Sequence, residues 1–177
     1  MNTASRKQSE VVCYVIQFLS TWRGDAYMED DFLKMWFAGF DTGIEKLDQA
    51  SLSAVLSECG KACSDSFPRQ MYIEEYEKAA DFDDFLSRIK THMNGIDFEK
   101  NEDGSIVVIY PKCYCDLVTR GLVRSPKLCE CSRQSLIYNW EAIFGEGNVD
   151  VQLLQSVLQG KDTCRLLVRF DRSFGCD

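Results

Sequence analysis

Apolar positions in the first half of the chain recur every three or four residues. Val11, Val12, Val15, Ile16, Phe18, Leu19 and Trp22 predict a helix that stops near Gly24. Phe32, Trp36, Phe37 and Phe40 predict a second over 28–40, with Gly39 and Gly43 bracketing its end. Leu52, Val55, Leu56 and Cys59 share one face of a third, over 51–63, after which Pro68 breaks the pattern. Two further helical pieces cover 74–80 and 81–93. Asp81 is placed to cap the latter, with Asp84 three residues on and Phe82, Phe85, Leu86 and Ile89 facing inward. From residue 94 the period changes. Ile96-Asp97-Phe98 alternates, Asn101-Glu102-Asp103-Gly104 is a turn, and the β-branched run over 105–110 completes a hairpin closed by Pro111. A cysteine-rich loop follows over 112–131. Ser132 is placed to cap a helix to 144 that buries Leu136, Ile137, Trp140 and Phe144 and ends at Gly145 and Gly147. The stretches 149–158 and 163–170, joined by Gln159-Gly160-Lys161-Asp162, predict a second hairpin.

Helices segregated from an antiparallel sheet define an α+β fold. The expected architecture is an N-terminal helical half packed on a C-terminal antiparallel sheet of two hairpins, with a helix between them. No repeat, low-complexity tract or linker interrupts the chain. The expectation is therefore a single domain over 1–177: a mainly helical part over 1–93, a strand-helix-hairpin part over 94–171 and a tail over 172–177.

The 177 residues are 45% hydrophobic and 27% charged, as in a folded globular chain. Twenty Lys and Arg against 28 Asp and Glu leave a net charge of −8. With no basic stripe, the balance speaks against a nucleic-acid partner. No apolar run is long enough for a membrane span, and the opening residues lack a signal-peptide pattern. The expected setting is cytoplasmic, away from membranes, with a small-molecule ligand as partner; a homodimer is compatible with the sequence. No phosphate loop, dinucleotide fingerprint or serine-hydrolase elbow is present, so no nucleotide cofactor is expected.

Nine cysteines change the picture. The odd number and the reducing setting favour free or metal-bound thiols over disulfides. Six fall in three clusters: Cys59-Gly60-Lys61-Ala62-Cys63, Cys113-Tyr114-Cys115 and Cys129-Glu130-Cys131. On one helix, the Cβ atoms of Cys59 and Cys63 lie roughly 5–6 Å apart, too far for the roughly 3.5–4.5 Å of an unstrained disulfide unless the helix ends at Gly60. The two C-x-C pairs point to opposite faces of an extended strand, so both thiols of a pair meet one ion only where the chain turns. Cys59, Cys63, Cys113, Cys115, Cys129 and Cys131 are candidate metal ligands. Zinc is the first expectation and an iron–sulfur cluster the alternative, because both take four thiolates. Against this stands the base tendency of free cysteine to be a small buried apolar residue. Cys13 and Cys164 read as core and Cys176 as tail.

A catalytic thiol at Cys129 or Cys131 is the alternative chemistry. A helix start at Ser132 with Arg133 in its first turn would lower a neighbouring thiol pKa. The sole histidine, His92, falls at a helix C-terminus, where a cation complements the dipole. The carboxylate groups Glu29-Asp30-Asp31, Glu74-Glu75 with Glu77, and Asp81 with Asp83-Asp84 read as solvated helix faces. Trp36, Phe37, Phe40, Trp140 and Phe144 read as core, with an apolar pocket wall as the other role for such a set.

The order of these motifs resembles a group of uncharacterised cysteine-rich prokaryotic proteins, some labelled L-2-amino-thiazoline-4-carboxylate hydrolase-like. The resemblance covers roughly 25–170 and rests on Cys59-Gly60 with Cys63, Cys113 with Cys115, Cys129 with Cys131-Ser132-Arg133, Trp140, and Gly160 with Cys164. It implies a cysteine-dependent hydrolase as the alternative function. The second half also resembles, distantly, the 4-vinyl reductase small-molecule-binding domain, in which Gly160 and Cys164 match a glycine before a cysteine in the closing hairpin. That resemblance implies a metal site of cysteines beside an apolar ligand pocket. The cysteine expected near the end of the penultimate strand is replaced by Val157 and Leu158, so Cys113 to Cys131 would supply the ligands differently. No histidine stands where a haem ligand would be needed, so no haem is expected.

Overall fold

The computed structural model describes residues 26–171. The helix expected over 11–24, Cys13, Cys176 and the tail over 172–177 lie outside the described residues. Compactness divides the chain after Gly39 into two units. Helix α1, Ala26–Ile44, crosses that boundary and runs on through both Gly39 and Gly43, which the sequence reading placed at its end. Before the boundary, Lys34 pairs with Asp30 at 2.7 Å, and the rings of Trp36 and Phe37 meet edge to face at 5.1 Å. Trp36, expected in the core, is exposed, as are Phe32 and Met35, while Phe37 and Phe40 are half-buried.

The second unit is α+β. Three helices, α2 (Gln49–Asp65), α3 (Pro68–Lys78) and α4 (Phe82–His92), precede β1 (Asp97–Lys100) and β2 (Ile106–Tyr110). A short α5 (Asp116–Thr119) and a 3-10 turn (Pro126–Leu128) lead into α6 (Cys129–Phe144). Strands β3 (Val149–Gln155) and β4 (Cys164–Phe170) close the chain, with a second 3-10 turn at Val157–Gln159 between them. The four strands form one antiparallel sheet in the order β1-β2-β4-β3. The two expected hairpins are thus joined by β2 against β4, with Ile106 opposite Val168 and Tyr110 opposite Cys164.

Local chemistry explains the boundaries. Asp48 accepts from the Ser51 amide at 2.8 Å and starts α2. Pro68 opens α3 rather than breaking a helix, because the first helical position needs no amide donor. Asp81 accepts from the Asp84 amide at 2.9 Å while Asp84 accepts from the Ala80 amide at 3.0 Å, a reciprocal cap on α4. Helix α6 begins at Cys129, three residues before the expected cap at Ser132. Ser125 accepts from the Lys127 amide at 3.2 Å and starts a 3-10 turn that passes directly into the helix.

Helices α3, α4 and α6 cover one face of the sheet. Tyr72, Phe85, Leu86 and Ile89 meet Ile106, Val108, Val151, Leu166 and Val168 in one buried cluster. Trp140 is fully buried at its centre, with ring centroids 5.1 Å from Phe170, 5.2 Å from Tyr72 and 5.7 Å from Phe85. Each such side chain contributes roughly 1.5–3 kcal/mol by leaving water. Trp140 and Phe144 are core, as the sequence pattern expects. Among the described residues, no helix is long and apolar enough to cross a membrane.

Replacing the α4 cap is a direct check on this local account. Asp81→Ala is expected to cost about 1 kcal/mol, read as a lower urea midpoint with an unchanged denaturant slope.

Candidate functional site

The cysteine clusters sit on three different kinds of backbone. Cys59 and Cys63 lie one turn apart on α2, and both are exposed. The helix continues past Gly60 to Asp65, so an internal disulfide there would be strained. Cys113 and Cys115 flank Tyr114 in the bend after β2, with Cys115 as the N-cap of α5. Cys129 and Cys131 occupy the first turn of α6. Two residues along a helix turn a side chain by about 200°, so these two thiols face different ways. Cys129 is buried and Cys131 half-buried.

Helices α2 and α6 approach backbone to backbone. A Cβ built on Gly60 would stand 2.8 Å from the Cys131 carbonyl oxygen and 2.8 Å from the Ser135 amide nitrogen. Real Cβ atoms do not approach so closely, and glycine alone fits. One turn further along α2, the fully buried Ser64 donates to the Ser135 carbonyl at 3.2 Å and shares a 2.7 Å bond with its hydroxyl. One turn after the helix start, Ser53 donates to Glu130 at 2.7 Å. This seam carries Cys59 and Cys63 past the backbone of Cys131.

The thiols then act on one another. Burial pushes the Cys131 thiol up to about 12, and the neighbouring Cys63, Cys59, Cys115 and Cys129 push in the same direction. Cys63 is raised by the partial burial of its sulfur, then by Cys115 and Asp116. Burial raises Cys113 too; a hydrogen bond from the Cys115 amide opposes it, and Cys115 and Cys164 add to it. Burial also raises Cys129, against a hydrogen bond from Ser156, with Cys164, Cys113 and Cys115 adding to the rise. Cys131 thus feels Cys59, Cys63, Cys115 and Cys129, although residues 59 and 131 stand 72 positions apart.

A seventh thiol joins them. Cys164, read from the sequence as core, is half-buried at the start of β4, and its sulfur accepts from the Val157 amide at 3.4 Å. The neighbouring Ser156, fully buried, serves Cys129. Consecutive residues after β3 thus hold two of the sulfurs. The C-x-C repeats hid this partner; the glycine-to-cysteine spacing of the last hairpin was the available signal. Among the described residues, no three cysteine, histidine or carboxylate donors are grouped tightly enough to hold a metal ion as the side chains stand.

The thiolate expected at Cys129 or Cys131 is reversed. Both thiols are raised, not lowered. The cation that was to lower them is spent elsewhere: Arg133 grips Glu130 through bonds of 2.9 and 2.7 Å and donates to the Val151 carbonyl at 3.1 Å. Burial works to raise the Glu130 carboxyl, but donors from Arg133, Gln134 and Ser53 prevail and hold it at about 2. His92 ends α4, as expected, with its Nε2 at 3.3 Å from Glu75. Glu75 itself is buried rather than solvated, and Lys78 and Arg88 also engage it.

No family model matches the sequence, and no curated protein does. Among solved structures, the chain is similar to a trafficking protein particle complex subunit 3 from Naegleria fowleri covalently bound to palmitic acid. The identity is 14% and the TM-score 0.42, over 84% of this chain and 98% of that one.

Two expectations test this geometry. Gly60→Ala should destabilise the fold by about 1–3 kcal/mol through backbone overlap, measured by urea unfolding; an unchanged midpoint would mean the helices are not in backbone contact. Glu130 should make stability sensitive to acid. A carboxyl held down in the folded state stabilises it above the ordinary value of 4.5, and that contribution is lost as pH falls toward about 2. Across that window the parent should lose more stability than Glu130→Gln, and parallel curves would contradict it.

Proposed function

We propose that this chain is a soft-metal-binding domain whose ligands are thiols, with zinc as the ion, working in the reducing cytoplasm. In this reading it is akin to the cysteine-rich prokaryotic family it resembles and, distantly, to the 4-vinyl reductase-like domains. One observation carries the reading: the backbone contact at Gly60 brings the α2 segment bearing Cys59 and Cys63 to the first turn of α6, which bears Cys131, and Cys115 adds to the rise of both Cys63 and Cys131. Thiols that repel one another's charge are stabilised together by a dication between them.

Cys59, Cys63, Cys115 and Cys131 form the first candidate quartet, since the other three act on the Cys131 thiol more strongly than Cys129 does. Four thiolates suit the tetrahedral preference of zinc. Binding requires these side chains to rotate inward from their present positions, which a cysteine does about a single torsion. Cys113, Cys129 and Cys164 are the other thiols of the described residues. An iron–sulfur cluster would use the same ligands and would colour the protein brown. The hydrolase reading gains no support, because a nucleophile needs a lowered thiol pKa.

The test is zinc titration against a chromophoric chelator. The expected result is one zinc per chain, with protons released as the metal binds, because thiols bind zinc as thiolates. Cys131→Ser and Cys63→Ser should each weaken binding by at least about tenfold. Affinity unchanged from the parent in both variants, or no competition with the chelator, would overturn the reading.

A further inference from the structure

Cys59 and Cys63 stand one turn apart on α2, and both are exposed. Residues four apart share one face of a helix, with Cβ atoms roughly 5–6 Å apart. The helix that carries them is held in place. Gly60, between the two, meets the α6 backbone, and Ser64, next after the pair, shares a 2.7 Å bond with the Ser135 hydroxyl. The pair is therefore preorganised, so a ligand would not have to order its backbone. The spacing is too long for a direct sulfur–sulfur bond, which needs Cβ atoms roughly 3.5–4.5 Å apart. It suits a bridge with one further atom between the sulfurs. A zinc ion is such an atom, but it calls for four ligands and two thiols leave it half served. An atom that needs only two sulfurs is fully served by this pair.

A trivalent arsenic bearing one carbon substituent and two hydroxyls has just two replaceable positions. We propose that Cys59 and Cys63 form a capture site for monosubstituted trivalent arsenicals, which they hold as a cyclic dithiolate on α2. Each thiol sulfur forms a bond to arsenic, and each hydroxyl leaves with a thiol proton as water. Two As–O and two S–H bonds break, two As–S and two O–H bonds form, and two waters depart. Arsenic stays trivalent, and nothing is oxidised or reduced. Charge favours the same product. The Cys63 thiol is raised by partial burial of its sulfur, then by Cys115 and Asp116, in a chain whose net charge is −8. The condensation consumes neutral thiols and leaves a neutral adduct, so it sets no new negative charge beside Asp116. The C-x-C pairs are less suited: Cys113 and Cys115 are half-buried in a bend, and Cys129 is buried and turned away from Cys131. The site shares two thiols with the zinc reading but does not rest on it, because it needs neither Cys115 nor Cys131.

The probe is phenylarsine oxide, which water converts to the dihydroxy form, titrated into the reduced, chelator-treated full chain. Native mass spectrometry should show a first equivalent bound tightly, and a thiol assay should show two thiols consumed with it. Cys59→Ser and Cys63→Ser should each weaken that first equivalent by at least about a hundredfold, since each leaves a single bond where there was a chelate. Cys131→Ser and Cys115→Ser should leave it unchanged. Zinc binding requires Cys131 and arsenical capture does not, so Cys131→Ser separates failure of one reading from failure of the other. No tight first equivalent, parent-like affinity in Cys59→Ser or Cys63→Ser, or an equal loss in Cys131→Ser would overturn the proposal.

Discussion

The molecule's chemistry depends on one steric fact: α2 and α6 touch through bare backbone. At Gly60 there is no room for a single carbon, with the Cys131 carbonyl and the Ser135 amide both 2.8 Å from where it would sit. That approach places the exposed thiols of α2 against the first turn of α6. Any residue other than glycine would push the helices apart and separate Cys59 and Cys63 from Cys131.

Polar stitching on either side of Gly60 fixes the register of this contact. Ser64 and Ser135 share a buried hydroxyl pair, and Glu130 gathers Ser53, Arg133 and Gln134. Arg133 extends the network to the Val151 carbonyl on the sheet. Buried polar groups of this kind cost free energy unless every partner is met, so they specify one alignment of the helices rather than simply adding stability. The thiols inherit that precision through the backbone, while each side chain turns about its own torsion. Preorganised backbone with adjustable side chains suits a site that closes on an ion.

The α+β architecture was legible in the sequence because its signals are local. The period of Phe82, Phe85, Leu86 and Ile89, the β-branched run before Pro111 and the Asp81 cap each act within a few residues. Boundaries were less legible where two local rules compete. Pro68 reads as a breaker from within a helix and as a starter at its first position. Ser132 reads as a cap, yet Ser125 starts the turn earlier. The site was half legible. The spacing of the six clustered cysteines raised the question of a shared centre, but Gly60 read as a candidate helix end, because its role depends on a helix 70 residues away. Arg133 read as an activator of thiols, because nothing local shows that Glu130 would take it first. Cys164 read as core, because its partners, Val157 and Ser156, are set by the fold of the closing hairpin.

The most direct test of the central claim, that sulfurs from distant segments share one centre, is X-ray absorption at the zinc edge of the zinc-loaded full chain. The account predicts a first shell of four sulfurs at about 2.3 Å, with no nitrogen or oxygen neighbours. A shell dominated by nitrogen or oxygen, or one with two sulfurs or fewer, would contradict it.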